Sequence, residues 1–167
     1  ASGGGRAALS FEQLGACREV LVLFEDLQAE APFAQSVLIR AQHQRSLHMT
    51  IAHPRQVKLA RPKFRGDHLG LKPGGELALL HGLTLAALDQ GVPEGLPAEV
   101  TQGLASLKSA LAAWTPDRVS QATGLPWASI TAAAARMKEA PSRAILFGRT
   151  TVEHPQAPAL LQGIENL

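Results

Sequence analysis

The chain has 167 residues, of which 46% are hydrophobic and 18% charged, and its formal net charge at pH 7 is +2. This length and hydrophobic content are typical of one domain with a substantial core, and they exclude an intrinsically disordered chain. Aromatic residues make up only 4% of the sequence and tyrosine is absent. That composition argues against the stacking platforms that bind single-stranded nucleic acid.

Cysteine content and hydropathy further limit the classes of protein to which the chain could belong. Cys17 is the single cysteine, so the chain by itself can form no internal disulfide and can hold no iron–sulfur cluster. No apolar run approaches the ~20 residues that span a bilayer, and the start, ASGGGRAALS, lacks the pattern of a signal peptide. We therefore expect a protein of a reducing compartment without direct membrane insertion, in which residues 1–9 are a linker or a cut point.

Positive charge is concentrated between Arg40 and Lys72, a stretch with eight basic residues and one acid, Asp67. Its charge is +7, whereas the remainder of the chain has eight basic and thirteen acidic residues, or −5. Such a stretch faces an anionic partner or a charged neighbour, or it is a solvated loop. Nucleic acid is disfavoured, because neither a recognition helix nor interleaved aromatic residues accompany the charge.

The first half of the chain alternates strand and helix signals. The continuous apolar run Val20–Phe24 predicts a strand that is covered on both faces. A helix is predicted from Phe33 to Gln44 with Pro32 in its first turn, and His48–Ala52 predicts the next strand. Strand, helix and strand at this spacing predict a right-handed crossover between parallel strands. Ser10 begins a capping-box pattern that predicts a short helix before the first strand.

Charged and polar residues directly follow these two strands. Glu25 and Asp26 come after the first strand, and His53-Pro54-Arg55 comes after the second. Since open α/β sheets bind ligands at the carboxyl ends of their strands, these loops are candidate ligand contacts.

A third unit runs from Asp67 to Gly91. The segment His68–Lys72 predicts a strand, Pro73-Gly74-Gly75 predicts a tight turn, and Glu76 begins a leucine-rich helix that ends near Gly91. A turn of this kind collects backbone N–H groups at a helix start, where anions and nucleotides bind in α/β folds. An ordinary strand-to-helix loop is the alternative, because a fold alone does not establish a site.

The second half adds helices and one more strand. The turn-rich sequence between Gly91 and Pro97 predicts a boundary, after which residues 98–140 form a helical subregion. The predicted elements are helices over 99–114, 115–124 and 126–139, a strand over 143–147 and a helix over 160–167. A further loop, His154-Pro155, is predicted at a carboxyl end. The pattern predicts an α/β, Rossmann-like fold with a mainly parallel sheet of four or more strands, helices on both faces and an inserted helical subregion.

The order of these motifs resembles the third, nucleotide-type domain of the molybdopterin oxidoreductase family. Each motif of that domain has a counterpart in this chain. The family's strand with a GEDP-like loop corresponds to VLVLFEDLQAEAP, and its strand ending in DPR corresponds to His53-Pro54-Arg55. Its PGTD turn before an Ala/Leu helix corresponds to KPGGELALLHG, its later Thr-Pro helix to TPDRVSQATGLPWASI, and its strand ending in glycine to RAILFG. No single motif is strong, and the resemblance rests on their order and spacing from Ser10 onward.

In cofactor-bearing members these loops contact the guanine nucleotide of a pterin cofactor. Carried over by position, the resemblance implies cofactor contacts at Glu25, Asp26, His53, Arg55, Gly74, Gly75 and Glu76. Three departures weaken that implication. Phe24 stands where a glycine is expected, so its side chain would obstruct close approach of the backbone. His53 replaces an acid, and Glu76 is a longer carboxylate than expected. We therefore interpret these seven positions as a vestigial site.

Catalytic and metal signals are weak elsewhere. The six histidines show no metal spacing with a carboxylate, and no cysteine joins them. No nucleophile elbow, Walker loop or complete G-x-G-x-x-G is present. We expect neither a metal ligand nor a catalytic residue in this chain, and we expect His53 and His154 to be exposed loop residues.

Three hypotheses follow. The resemblance implies first a structural and assembly domain of the large iron–sulfur subunit of NADH–quinone oxidoreductase (respiratory complex I), the branch that lost the pterin. Iron–sulfur clusters would then lie in other parts of the parent. Its partners would be other subunits of the complex or the rest of its own polypeptide, at the inner, cytoplasmic face of the bacterial plasma membrane. The second is the domain that holds molybdopterin guanine dinucleotide in an active enzyme such as a formate dehydrogenase. The third is a stand-alone nucleotide-binding module.

Overall fold

The computed structural model describes residues 9–91 and 98–167, with backbone alone over 98–102. The predicted boundary between Gly91 and Pro97 lies outside the described residues, as does nearly all of the predicted linker 1–9. No helix among the described residues is long and apolar enough to cross a membrane.

Four parallel strands form the sheet, in the order β3-β2-β1-β4. Their bounds are β1 Glu19–Leu23, β2 His48–Ala52, β3 Gly66–Leu69 and β4 Arg143–Leu146. From β1 the sheet is extended on one side by β2 and then β3, whereas β4 pairs with the other side of β1. The strand order therefore reverses at the boundary between β1 and β4. The predicted α/β fold with a parallel sheet is confirmed.

The described ranges also contain nine α-helices and one short 3₁₀ turn (Lys58–Ala60). The helices are α1 Phe11–Ala16, α2 Leu27–Glu30, α3 Pro32–Arg45, α4 Glu76–Asp89, α5 Ala98–Leu111, α6 Pro116–Thr123, α7 Trp127–Glu139, α8 Arg149–Val152 and α9 Ala157–Glu165. Two caps follow directly from the sequence. Ser10 and Gln13 form the predicted capping box of α1, and Thr115 accepts a hydrogen bond from the Arg118 N–H to begin α6.

The third strand differs from its prediction, His68–Lys72. It begins two residues earlier, at Gly66, and ends at Leu69. After Gly70 the chain turns away, because the Leu71 N–H donates to the Leu69 carbonyl at 2.9 Å and the Lys72 N–H donates to the Thr123 carbonyl at 2.7 Å. Leu71 is buried in the core rather than in the sheet, and that burial mimics the hydrophobic signal of a strand.

Helices cover both faces of the sheet, as the apolar strands predict. On one face, which we call the first core, Leu21 and Leu23 pack with buried residues of α4, α6, α7 and α9. On the other face, the second core, Val20 and Val22 pack with α1, α3 and the segment around the 3₁₀ turn. The alternation along β1 therefore divides its side chains between two separate cores.

Helix α4 is the centre of the first core. It packs against α6, α7 and α9 and buries residues around most of its circumference. Close approach depends on Gly82, where an added Cβ would lie 2.6 Å from Val119 Cγ1 of α6. Val119 is 0% exposed, so it has no room to move aside.

We expect Gly82→Ala to destabilise the protein. Overpacking of a full core costs about 1–3 kcal/mol, and we expect this to outweigh the ~0.5–1 kcal/mol that alanine gains over glycine inside a helix. The matched control is Gly103→Ala in α5, where an added Cβ meets nothing within 4 Å. This variant should be more stable than the wild type. Urea unfolding of both variants measures the two changes, and a stabilised Gly82→Ala would show that α4 and α6 are not in close contact.

Candidate functional site

The carboxyl ends of the four strands lie on one edge of the sheet, because all four strands are parallel. The segments that leave this edge begin at Phe24, His53, Gly70 and Phe147. In open α/β sheets, ligands bind in the crevice where the strand order reverses. In this chain that crevice lies between the ends of β1 and β4.

The Glu25 carboxylate fills this crevice. Oε1 accepts a hydrogen bond from the Thr150 N–H at 2.8 Å, and Oε2 accepts one from Thr150 Oγ1 at 3.3 Å. A Cβ added at Gly148 would lie only 3.1 Å from Glu25 Cδ, and Glu25 itself is 1% exposed. The chain therefore supplies its own anion at the start of α8, joining the ends of β1 and β4.

Burial raises the pKa of the Glu25 carboxyl above its ordinary value of about 4.5. Hydrogen bonds from Thr150 and from the Thr151 N–H favour the charged form and offset part of the rise, while the charge on Glu30 adds to it. Loss of water is thus the dominant influence on this acid.

Phe24 occupies a backbone conformation that glycine would adopt more easily. Its φ is 64°, in the left-handed region, where an L-residue pays roughly 1–2 kcal/mol. The phenyl ring is 2% exposed and belongs to the first core. The expectation that this ring obstructs the ligand edge is therefore wrong: burial holds it in the core, and the group in contact with Gly148 is the Glu25 carboxylate.

Asp26 has a local structural role. Its Oδ1 accepts a hydrogen bond from the Gln28 N–H at 3.1 Å and so caps α2, a helix that the sequence analysis did not predict. The Asp26 side chain is half-buried and is directed to its own loop by this bond.

His53 is buried, contrary to the expectation of an exposed loop residue. Its Nδ1 accepts a hydrogen bond from the Arg55 N–H at 2.9 Å, and its carbonyl accepts one from His68 Nε2 at 2.8 Å. These bonds fix the turn after β2 and connect it to β3. The Arg55 side chain is exposed.

The glycine turn before α4 is packed against another helix. Gly74 takes the expected positive φ, 83°, and an added Cβ there meets open space. At Gly75 an added Cβ would lie 3.0 Å from the Ala122 carbonyl oxygen and 3.1 Å from Thr123 Cα. The end of α6 therefore covers the turn. Glu76 is half-buried in the first turn of α4.

Helix α8 is not predicted from the sequence. The predicted loop His154-Pro155 does not leave β4 directly, since α8 lies between them. His154 Nδ1 instead accepts a hydrogen bond from the Gln156 N–H at 3.0 Å. Gly148, directly after β4, is the signal that could have indicated a close contact here, because a glycine often marks a site where another group approaches the backbone.

A second polar cluster crosses the other end of the sheet. Buried Glu19 accepts hydrogen bonds from Thr50 Oγ1 and His48 Nδ1, each at 2.9 Å. His48 Nε2 lies 3.7 Å from Asp67 Oδ2, and Arg136 of α7 forms an ion pair with the same carboxylate. Asp67 is thus satisfied inside the fold, away from the carboxyl edge.

Other features of the described residues add no ligand chemistry to this edge. No group of three or more His, Cys, Asp or Glu within the described ranges could hold a metal ion. A largely apolar cavity of about 470 Å³ lies between β1, β4, α4 and α7, with Leu83, Met137 and Arg143 in its wall. Its wall includes the first residues of β4 rather than the loop after it.

No family model matches the chain. Over 144 residues it is 31% identical to the NADPH-Fe(3+) oxidoreductase subunit alpha of Geobacter sulfurreducens, an alignment that takes in 85% of this chain and 17% of that protein. It is 25% identical over 118 residues to formate dehydrogenase H of Escherichia coli, covering 70% of this chain and 16% of that protein.

Similarity to these relatives supports a place for the chain in the molybdopterin-type oxidoreductase superfamily. Acetylene hydratase from Pelobacter acetylenicus has the same fold over 88% of this chain and 20% of its own, with a TM-score of 0.73 and 19% identity. The chain spans about a sixth of the length of the curated relatives described above.

The seven positions that the superfamily resemblance marks do not fit a guanine nucleotide at the β1/β4 crevice. The Glu25 carboxylate already fills that crevice. Three more of the seven are engaged within the chain: Asp26 in a cap, His53 in its own turn and Gly75 against α6. This geometry favours the interpretation of the site as vestigial.

We expect the protein with Glu25→Gln to be at least as stable as the wild type at neutral pH. The raised pKa means that the folded protein holds the Glu25 proton more tightly than the unfolded chain does. The carboxyl therefore favours folding fully below its ordinary pKa, and this contribution is lost as the pH rises through the raised value. The glutamine amide keeps an acceptor for the Thr150 N–H and bears no charge.

Urea unfolding across a pH series measures this effect. The advantage of Glu25→Gln should shrink on acidification to about pH 4. Glu25→Ala is the matched control and should lose about 1 kcal/mol, because it leaves the partly buried Thr150 N–H without its carboxylate partner. An advantage of the wild type that grows from acid to neutral pH would mean that the charged carboxylate stabilises the fold.

Proposed function

We propose that this chain is a domain of a larger oxidoreductase subunit of the molybdopterin type, in which it has a structural and assembly role. Electron transfer would take place in other parts of the parent protein. The observation that carries this proposal is the Glu25 carboxylate, which fills the β1/β4 crevice and hydrogen-bonds to Thr150. A domain that uses this crevice for a nucleotide would leave it free for the ligand.

The relatives support a role inside a larger protein. Each alignment takes in most of this chain but about a sixth of the relative. Two of the relatives are named as redox enzymes, NADPH-Fe(3+) oxidoreductase subunit alpha and formate dehydrogenase H. This pattern is what a domain embedded in a redox subunit produces.

Within the superfamily, we infer that the chain is of the type found in the large iron–sulfur subunit of NADH–quinone oxidoreductase, where the pterin is lost and clusters lie elsewhere. The relatives described above are named for other reactions, so this finer assignment rests on the candidate site itself. Its support is that Glu25, Asp26 and His53 all have partners within the chain.

A second candidate is the cofactor-holding domain of an active enzyme, as in a formate dehydrogenase. Similarity to formate dehydrogenase H favours it. So does the open space at Gly74 beside the start of α4, where no side chain caps the helix. In that case a nucleotide would bind at the β2 and β3 ends of the edge, near Arg55 and Glu76, rather than between β1 and β4.

Titration of the chain with GDP and GTP, followed by calorimetry, separates the two candidates. We expect no saturable binding at micromolar concentrations, because four of the seven positions already have partners in the fold. Glu76→Ala is the control for specificity, and unchanged unfolding behaviour establishes that the variant is folded. Micromolar binding that Glu76→Ala abolishes would reject the assembly role in favour of a nucleotide site.

Metal analysis of the complete native protein gives an independent test. The assembly role predicts iron without stoichiometric molybdenum or tungsten. One molybdenum or tungsten atom per protein, present in catalytically active preparations, would instead support the cofactor-holding candidate.

A further inference from the structure

A ring contact joins α4 to the corner between α5 and α6, which we define as residues 112–115. The imidazole of His81 lies edge-to-face with the indole of Trp114, with 4.8 Å between the ring centroids and an interplanar angle of 64°. Trp114 is half-buried and packs against the first core, and its N–H donates to the Leu111 carbonyl at 2.8 Å. The corner is thus in direct contact with α4 through His81.

Arg118 of α6 lies against the same indole. The centre of its guanidinium group is 4.4 Å from the Trp114 ring centroid, which is a cation–π distance. Arg118 also donates a hydrogen bond from Nη1 to the Ala113 carbonyl at 2.9 Å, so the guanidinium is held at the corner. One aromatic ring therefore contacts both an imidazole and a permanent cation.

The surroundings of His81 favour its neutral form. Nδ1 is buried and has no hydrogen-bond partner in the part of the chain that the structure describes. Burial lowers the pKa of His81 below its ordinary value of about 6.5, and the charge on Arg118 lowers this pKa further. Attraction to the indole would favour an imidazolium, but the Arg118 guanidinium already lies over that ring.

Arg118 is the one charge among the described residues that affects the pKa of His81. The helices packed against α4 are α5, α6, α7 and α9. The other described charged residues of these four helices and of α4 itself do not contribute to the shift: Lys108, Asp117, Arg136, Lys138, Glu139, Glu165, Glu76 and Asp89. No carboxylate among them therefore compensates a positive charge on the imidazole.

We propose that His81, Trp114 and Arg118 form a pH-sensitive latch, which holds the α5–α6 corner against α4 while His81 is neutral and releases it when His81 is protonated. Protonation would place a second cation beside Arg118 and would leave the buried Nδ1 with an N–H that has no acceptor. Release of the corner exposes the imidazolium to water and so restores its solvation. The latch needs no partner and is independent of the proposed function.

The direction of the pH dependence follows from the lowered pKa. The closed latch holds the His81 proton less tightly than the open latch does, so acid favours the open form. Closure is fully favoured above about pH 6.5, and this preference is lost as the pH falls through the lowered pKa of His81.

Acrylamide quenching of Trp114 fluorescence measures the exposure of the corner. The chain has two tryptophans, so Trp127→Phe leaves Trp114 as the single fluorophore, and all further variants are made in this background. We expect the quenching constant to rise roughly twofold or more between about pH 7.5 and about pH 4.5, because a packed indole becomes accessible to solvent. Nuclear magnetic resonance of the His81 ring protons should show a titration with the same midpoint.

Three variants separate the latch from general loosening in acid. His81→Gln is neutral at every pH, so its quenching constant should stay the same across this range. His43→Gln changes an exposed histidine of α3; it is the matched control and should keep the full rise. Arg118→Gln should move the midpoint to higher pH, because the charge that helps to lower the pKa of His81 is removed.

A quenching constant that stays the same from about pH 7.5 to about pH 4.5 would overturn the proposal. So would a rise that persists in His81→Gln, a His81 midpoint at or above its ordinary value, or an Arg118→Gln midpoint that does not move upward. Circular dichroism establishes that each variant is folded. If His81→Gln does not fold, the Arg118→Gln shift and the agreement of the two titration midpoints decide the question.

Discussion

Parallel strands impose the main constraint on this molecule. Each strand must be followed by a segment that crosses a face of the sheet, so helices must cover both faces. The residues of β1 satisfy this requirement in alternation, with Leu21 and Leu23 in one core and Val20 and Val22 in the other. The same constraint gathers all four carboxyl ends at one edge. The candidate site is thus a consequence of strand direction.

At that edge the chain's own groups occupy positions where α/β folds often bind ligands. The buried Glu25 carboxylate contacts the N–H groups at the start of α8, where a ligand anion would otherwise be expected. Thr123 at the end of α6 packs over the glycine turn before α4. In this structure the buried Glu25 carboxylate lies between the ends of β1 and β4. Similarity of fold to acetylene hydratase is therefore compatible with a different role.

Much of the architecture could be predicted from local signals. The apolar runs gave β1 and β2, and capping residues such as Ser10 and Thr115 marked helix starts. Prediction failed where a long-range contact decides the structure. Leu71 has the hydrophobicity of a strand residue, yet a hydrogen bond from Lys72 to Thr123 draws it out of the sheet.

The site was harder to predict than the fold. The motif order placed Glu25 and His53 correctly at the carboxyl edge, yet whether a carboxylate faces a ligand or its own backbone depends on partners far along the chain. Thr150 is separated from Glu25 by 125 residues. Phe24 illustrates the same limit: sequence indicates an unfavourable residue at a tight turn, and only the packing shows its ring in the core.

The polar cluster at the opposite end of the sheet has a consequence for strand alignment. Glu19 of β1 is directly opposite His48 of β2, and Thr50 is opposite Asp67 of β3. A slip of β2 by one residue would turn His48 and Thr50 toward the other core, since successive side chains alternate between faces. The buried Glu19 carboxylate would then lose both partners, at a steep energetic penalty. Apolar side chains alone would specify the register between β1 and β2 only weakly. The hydrogen bonds to Glu19 favour a single register.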